Sequence, residues 1–169
     1  VHRDIAAEAL PRIAKSLNDA GVTIVGCRET CGIIAVQPAS EEDWKTEYLD
    51  YKISVKIVGS AREAVEHINR YGSGHTDAIV TKNAQTAEYF MDAVDSANVY
   101  WNCSTRFADG YRYGFGAEVG ISTNKIHARG PVGLDGLMIY KYKLYGSGQT
   151  VGEYADGKKH FKHIQLPCK

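Results

Sequence analysis

The residues whose types and spacing could do chemistry concentrate between Asn98 and Leu134. An apolar run, Val99-Tyr100-Trp101, gives way abruptly to Asn102-Cys103-Ser104-Thr105-Arg106. A stretch follows in which Gly110, Gly114, Gly116, Gly120, Gly130 and Gly133 are interleaved with Arg112, Lys125, His127 and Arg129. Glycine lets backbone N–H groups approach a ligand, and arginine offers a planar fork that matches carboxylate or phosphate. The pattern points to an anion-binding loop at a strand end, where α/β proteins build their sites. A long surface loop with solvated charges is the plain alternative.

No complete catalytic set stands beside that loop. Cys103 ends a strand near Arg106, where a thiol pKa can fall, but no histidine is placed to activate it, and a buried structural cysteine explains it as well. Cys27 and Cys31 flank Arg28 with no second pair, and Cys168 is isolated, so the four cysteines do not form a metal set. Ser104 and Ser122 lack the strained G-x-S-x-G turn of a nucleophilic serine. His75 precedes a strand and suits a role in tying its turn. His67 has no ligand-spaced neighbour, and His160 and His163 have only each other. His127, between Lys125 and Arg129, is better placed to face an anion. Glu47 follows a polar loop and reads as solvated. No G-x-G-x-x-G fingerprint sits between a strand and a helix, since Gly114-Phe115-Gly116 has no third glycine at the required place.

Composition narrows the classes. A chain of 169 residues can bury roughly 70% of its unfolded surface, enough for one domain or slightly more. Lys+Arg 20 balances Asp+Glu 20, so no polyelectrolyte partner and no nucleic-acid footprint is indicated. No apolar run approaches the roughly 20 residues of a membrane span, and no secretory signal opens the chain. Reduced thiols then suggest a cytoplasmic protein. A start at Val1 rather than Met is expected of a piece of something longer.

The positioning elements are legible as periodic runs. Asp4 to Ala20 has the apolar spacing of one helical face, with Asp4 as N-cap, Gly21 as stop and a kink or fresh start expected at Pro11. Thr23–Gly26 reads as a strand and 33–36 as another extended piece; residues 37–46 read as loop, with a helical turn beginning near Ser40. Ile53–Val58 is a β-branched strand. Ser60 caps a helix over Ala61–Tyr71 that Gly72 stops. A strand at Ala78–Thr81, a helix capped by Asn83 and a strand at Val99–Trp101 complete the series. Such alternation with short connections means right-handed crossovers and a parallel sheet covered by helices on both faces. Residues 137–145, with Lys141 and Lys143 alternating among apolar residues, read as an edge strand open to pairing with another chain. The tail 146–169 is polar, with little to pack.

Four runs resemble γ-glutamyl phosphate reductase (glutamate-5-semialdehyde dehydrogenase), a branch of the aldehyde dehydrogenase superfamily. They are Val65 to Thr81, Asn102 to Phe107, Phe115 to Thr123, and His127 to Pro131. The chain is similar as well to the reductase half of pyrroline-5-carboxylate synthase. The likeness extends from Val1 to about Gly148. It implies a three-layer α/β/α parallel sheet, with an aldehyde dehydrogenase-like catalytic domain over 1–134 and an oligomerisation strand and polar tail over 135–169.

The resemblance also implies the reaction: NADPH-dependent reduction of L-glutamyl 5-phosphate to glutamate 5-semialdehyde with release of phosphate, a step of proline biosynthesis. In the family a cysteine attacks the acyl phosphate and the thioester is then reduced. That cysteine is expected upstream of Val1, as is the cofactor domain, so no catalytic residue is assigned in this chain and the chain alone is expected to be inactive. Glu47 falls where the superfamily keeps a glutamate on the nicotinamide ribose. Asn102, Ser104, Thr105 and Arg106 fall on a loop lining the substrate tunnel, with Ser122, His127 and Arg129 as second choices. Cys103 stands where family members commonly have Ala, which favours its structural reading. Association into a homo-oligomer through 137–145 is expected, with no metal. A catalytically inactive domain kept for binding or assembly is the rival.

Overall fold

Strand β1 (Thr23–Gly26) is flanked on one side by β2 (Gln37–Pro38) and on the other by β3 (Lys52–Val55), all parallel, in the order β2-β1-β3. The computed structural model describes residues 1–165 and Pro167, and Cys168 lies outside the described residues. The β1–β3 register sets Thr23 opposite Lys52 and Gly26 opposite Val55. His2 makes an isolated parallel bridge to Val58, beyond the end of β3. Helix α1 (Arg3–Asp19) follows directly and covers this sheet. Its buried face, Ala6, Leu10 and Ala14, meets Ile24, Val55 and Ile57 in one apolar cluster.

The α1 boundaries differ from the sequence reading in instructive ways. The cap is His2, whose Nδ1 accepts from the Asp4 N–H at 3.2 Å, and Asp4 lies inside the first turn. The helix runs unbroken through Pro11. Proline frees the carbonyl of the residue four positions back; here that residue is Ala7, and both Ala7 and Pro11 face solvent, where water can satisfy the carbonyl. Gly21, with φ +75°, ends the helix as expected.

Residues 33–36 do not extend as a strand. The six-residue helix α2 (Arg28–Ile33) comes first, and the extended piece is β2. Helix α2 is organised by Thr30, which has no exposed surface and whose hydroxyl donates to the Val55 carbonyl at 3.1 Å. Gly26 is required beside it, because a Cβ there would meet Thr30 Cγ2 at 2.5 Å.

Helix α3 (Ala61–Tyr71) has the expected bounds, with the Ser60 hydroxyl accepting from the Glu63 N–H at 3.1 Å. Helix α4 (Ala84–Ala93) is likewise capped by Asn83. Strands β4 (Thr76–Ile79) and β5 (Asn98–Trp101) pair in parallel as a second, two-stranded sheet. Val65, Phe90 and Val94 pack with Ile79 and Val99 as its core. The parallel pairing matches the sequence pattern; the single continuous sheet does not, because β3 and β4 share no ladder. A short antiparallel pair, β6 (Gly120–Ser122) and β7 (Gly130–Val132), lies within the glycine-rich stretch, where the sequence suggested only loop.

Beyond Met138 the chain forms a separate unit, Ile139–Lys169. Residues 139–145 form no strand there, contrary to the sequence reading. A strand needs a ladder partner for its N–H and C=O groups, and Tyr140, Tyr142, Leu144 and Tyr145 are each at least 81% exposed. The polar tail does hold one short helix, α5 (Val151–Ala155), closed by a capping box between Thr150 and Glu153.

The α1–sheet contact dominates the first core, so Leu10→Ala, which empties a site only 1% exposed, is expected to cost about 2–5 kcal/mol in urea unfolding. A loss under about 1 kcal/mol would show that the site collapses around the smaller side chain.

Candidate functional site

The two-stranded sheet is closed at both ends by asparagine side chains. At its amino end Asn98, 5% exposed, donates from Nδ2 to the His75 carbonyl at 3.0 Å and to Thr76 Oγ1 at 3.2 Å. At its carboxyl end Asn102 takes the Thr81 N–H on Oδ1 at 2.9 Å and donates to the Thr81 carbonyl at 2.8 Å. Asn102 adopts φ +55°, which turns the chain sharply out of β5. Asparagine is among the few residues that tolerate this region. The two amides thus fix where the next segment begins.

That segment is a single 3-10 turn, Thr105–Phe107, capped by the Ser104 hydroxyl, which accepts the Arg106 N–H at 3.2 Å. The Arg106 carbonyl accepts from Arg112 Nη1 at 2.6 Å, and Arg112 also pairs with Asp109 at 3.2 Å. Asp109 Oδ1 in turn takes the N–H groups of Tyr111 and Arg112. The backbone on both sides of Arg106 is therefore bonded. The guanidinium of Arg106 is exposed and, among the described residues, has no hydrogen bond and no carboxylate in ion-pair range.

The other cations of the stretch are committed. Lys125 reaches Asp95 Oδ2 at 2.6 Å, and Arg129 donates to Asp95 Oδ1 and to its carbonyl, both at 3.0 Å. The Asp95 N–H is itself held by Asn69 Oδ1 at 2.8 Å. This clamp ties the β6–β7 hairpin to the sheet, and its two cations hold the Asp95 carboxyl below its usual range. His127 has its Nε2 3.2 Å from the Gly136 carbonyl, and Ser122 lies within β6. Thus Asn102, Ser104, Thr105 and Arg106 are brought together on one turn, while His127 and Arg129 sit in structural contacts elsewhere in the stretch.

Two tyrosines brace the loop from behind. Tyr100 and Tyr113 join hydroxyl to hydroxyl, and Tyr113 donates onward to Asn98 Oδ1 at 2.7 Å. Burial and the neighbouring Tyr113 hydroxyl raise the Tyr100 phenol. Gly114 and Gly116, at φ +82° and +79°, supply the left-handed backbone of the turn just after Tyr113. The sequence pattern gave no hint of Asp95, Asn98 or Tyr113 as organisers, because each acts through partners distant in the chain.

Glu47 lies on a different loop, between β2 and β3, with its carboxylate exposed and without a hydrogen bond among the described residues. It stands before the amino end of β3, whereas Asn102–Arg106 leaves the carboxyl end of β5. Cys27 and Cys31 are structural in their contacts, whereas Cys103 is exposed, contrary to its reading as a buried structural thiol. Burial would raise Cys27, but hydrogen bonds from the Ile57 N–H and from Thr30 bring it below the usual thiol value. Cys31 donates to the Gly26 carbonyl at 3.4 Å. His75 bonds Thr76 Oγ1 at 2.6 Å, the turn-tying role its position suggested. Among the described residues no helix is long and apolar enough to cross a membrane, and no cluster of His, Cys, Asp or Glu is arranged to hold a metal.

Fold and site together define an α/β chain with a cationic turn at a parallel-strand end. It is 65% identical over 98% of its length to a γ-glutamyl phosphate reductase of Acetivibrio thermocellus and 61% identical, over the same share, to one of Pelotomaculum thermopropionicum. The crystal structure of a γ-glutamyl phosphate reductase from Thermotoga maritima superposes with a TM-score of 0.84 at 49% identity, over 89% of this chain and 36% of that one. No family model matches. Over nearly its whole length the chain is similar to part of the γ-glutamyl phosphate reductases, and it spans 38% of the length of these two curated relatives.

The Asp95 clamp has a definite pH signature. A carboxyl whose folded pKa is depressed stabilises above its unfolded value, near 3.9, and loses that contribution as pH falls through the folded value. The amide resonances of Ser122 and Gly130 are expected to hold steady from pH 7 to 4 and to shift together below about pH 3.9, and Asp95→Asn is expected to abolish that step. A step centred above pH 5 would assign the clamp to another group.

Proposed function

We propose that this chain is the substrate-anchoring part of a reductase that converts L-glutamyl 5-phosphate to L-glutamate 5-semialdehyde with release of phosphate. The observation that carries the reading is Arg106, a cation with no carboxylate partner among the described residues on a turn whose backbone is bonded at its own N–H and carbonyl. The chain's relatives are named as reductases of γ-glutamyl phosphate. A planar guanidinium on a fixed backbone is a preformed receptor for the phosphate or the α-carboxylate of such a substrate, and nothing has to be broken to free it. Asn102 positions the turn, Ser104 and Thr105 add hydroxyls beside it, and Ser122, His127 and Arg129 belong to the β6–β7 part of the same stretch.

The chemistry itself is assigned to a cysteine outside this chain. Its thiolate attacks the acyl carbon, the carbon–oxygen bond to phosphate breaks, and phosphate leaves with the electron pair. The thioester is then reduced to the aldehyde, with the thiolate returning as leaving group. Bound NADPH supplies the hydride. The free carboxylate of Glu47 fits the ribose hydroxyls of that cofactor as an acceptor, and the residues of this chain bind and orient rather than react. The sheets fit the catalytic layer of a three-layer aldehyde dehydrogenase-like domain, with 1–134 in that domain, 135–169 as its oligomerisation extension, and the cytoplasm as its compartment.

In the full-length enzyme, Arg106→Ala is expected to lower kcat/KM for glutamyl phosphate at least about tenfold, as for loss of a charged hydrogen bond. Arg106→Lys recovers only part, since an ammonium cannot reproduce the fork. Unchanged kinetics would remove Arg106 from the site.

Residues 137–145 acquire their missing ladder by pairing with a second copy of the protein, the remaining expectation of the sequence pattern. Sedimentation of the full-length enzyme is expected to show an oligomer that Tyr142→Pro weakens, because proline removes a ladder N–H. A strictly monomeric parent would contradict this assembly.

A further inference from the structure

We propose that Asp43 is a positioning residue for Glu47, setting the loop so that the Glu47 carboxylate is presented to the ribose of a nicotinamide dinucleotide. The inference rests on the reading of Glu47 given above.

Asp43 gathers three parts of the loop onto one carboxylate. Its Oδ2 accepts both the N–H and the hydroxyl of Ser40, each at 2.7 Å, at the loop's start. Its Oδ1 accepts the Tyr48 hydroxyl at 2.7 Å and Lys52 Nζ at 3.3 Å. Lys52 is the first residue of β3, so the same carboxylate fastens the loop to the sheet. The Lys52 ammonium also lies 4.4 Å from the centre of the Tyr48 ring. Burial and the hydrogen bond to Asp43, with its charge, push the Tyr48 phenol up to about 12.

These bonds bracket Glu47. Thr46, the residue before it, donates from Oγ1 to the Glu42 carbonyl at 2.8 Å, and Tyr48, the residue after it, is held by Asp43. Both chain neighbours are thus tied to the 3-10 turn Glu42–Trp44, while Glu47 between them has no partner among the described residues. Leu49 follows in the left-handed region at φ +52°, although its side chain is 89% exposed and no packing rewards that conformation. A leucine held so beside an unbonded carboxylate marks a loop shaped for presentation rather than for its own stability. Removing Asp43 releases Ser40, Tyr48 and Lys52 together, and Glu47 then samples many orientations.

The test uses the full-length reductase and NADPH, titrated by its fluorescence, with Glu47→Gln, Asp43→Asn and the double variant. Each single substitution is expected to weaken NADPH binding about tenfold. The double is expected to bind no more weakly than Glu47→Gln alone, because the effect of Asp43 passes through Glu47. Hydrogen exchange at residues 46–50 is expected to speed up in Asp43→Asn while β3 keeps its protection, and the affinity for glutamyl phosphate stays within about twofold. If Asp43→Asn does not fold, Tyr48→Phe, which removes one bond to the carboxylate, decides by the same titration with an expected loss of about threefold. Weakening by Glu47→Gln with none by Asp43→Asn, or additive losses in the double, overturns the positioning role and leaves Glu47 in place. Unchanged affinity in Glu47→Gln overturns the reading of Glu47 and this proposal with it.

Discussion

Everything in the glycine-rich half of the chain depends on a two-stranded parallel sheet that is stitched at each end by an asparagine amide. Two strands alone make a marginal sheet. Here Asn98 bonds His75 and Thr76 at one end, and Asn102 bonds Thr81 at the other. Asn98 is buried, so leaving its amide unpaired would be costly, and its three bonds also enlist Tyr113. The loop is therefore anchored to the same residue that closes the sheet. Disturbing that amide would loosen both.

How much of this was legible in the sequence depends on the range of the cause. Helix α3 was readable to the residue because Ser60 and Gly72 act within one turn, and α4 because Asn83 does. Strand β1 was readable because its apolar run is short and bounded. Helix α2 was not: six residues carry too little periodicity, and its organiser, Thr30, is a buried polar residue whose partner is 25 positions away. Pro11 misled because what matters is whether the freed carbonyl meets water, a property of the packed helix. Residues 139–145 misled for the opposite reason: their alternation is real, but among the described residues no strand pairs with them.

The site was half legible on the same principle. Residue types alone made Arg106, Arg112, Lys125 and Arg129 equal candidates for holding an anion. Pairing separates them: Asp109 takes Arg112, and Asp95 takes both Lys125 and Arg129. A cation already matched to a carboxylate must lose that partner before it can serve a ligand, so its net gain is small. Among the described residues Arg106 has no such partner to lose. The family resemblance had already set Arg106 ahead of Arg129, and the ion pairs now give that ordering a physical reason.

The two loops share one design. In each, a carboxylate is spent on organising the chain, and one charged side chain is left unspent. Asp109 and Arg112 bond the turn around Arg106, and Asp43 bonds the loop around Glu47. The ordering entropy of these loops is met during folding by the structural carboxylates, so a ligand need not supply it on binding. Under the proposed function these charges would take complementary parts, Arg106 as a cation for an anionic substrate and Glu47 as an acceptor for ribose hydroxyls. Because Glu47 precedes β3 and Arg106 follows β5, the two groups belong to different sheets, and each is held by its own local network. A substitution in one loop should then leave the other intact, which lets the cofactor and substrate contacts proposed above be separated by mutation.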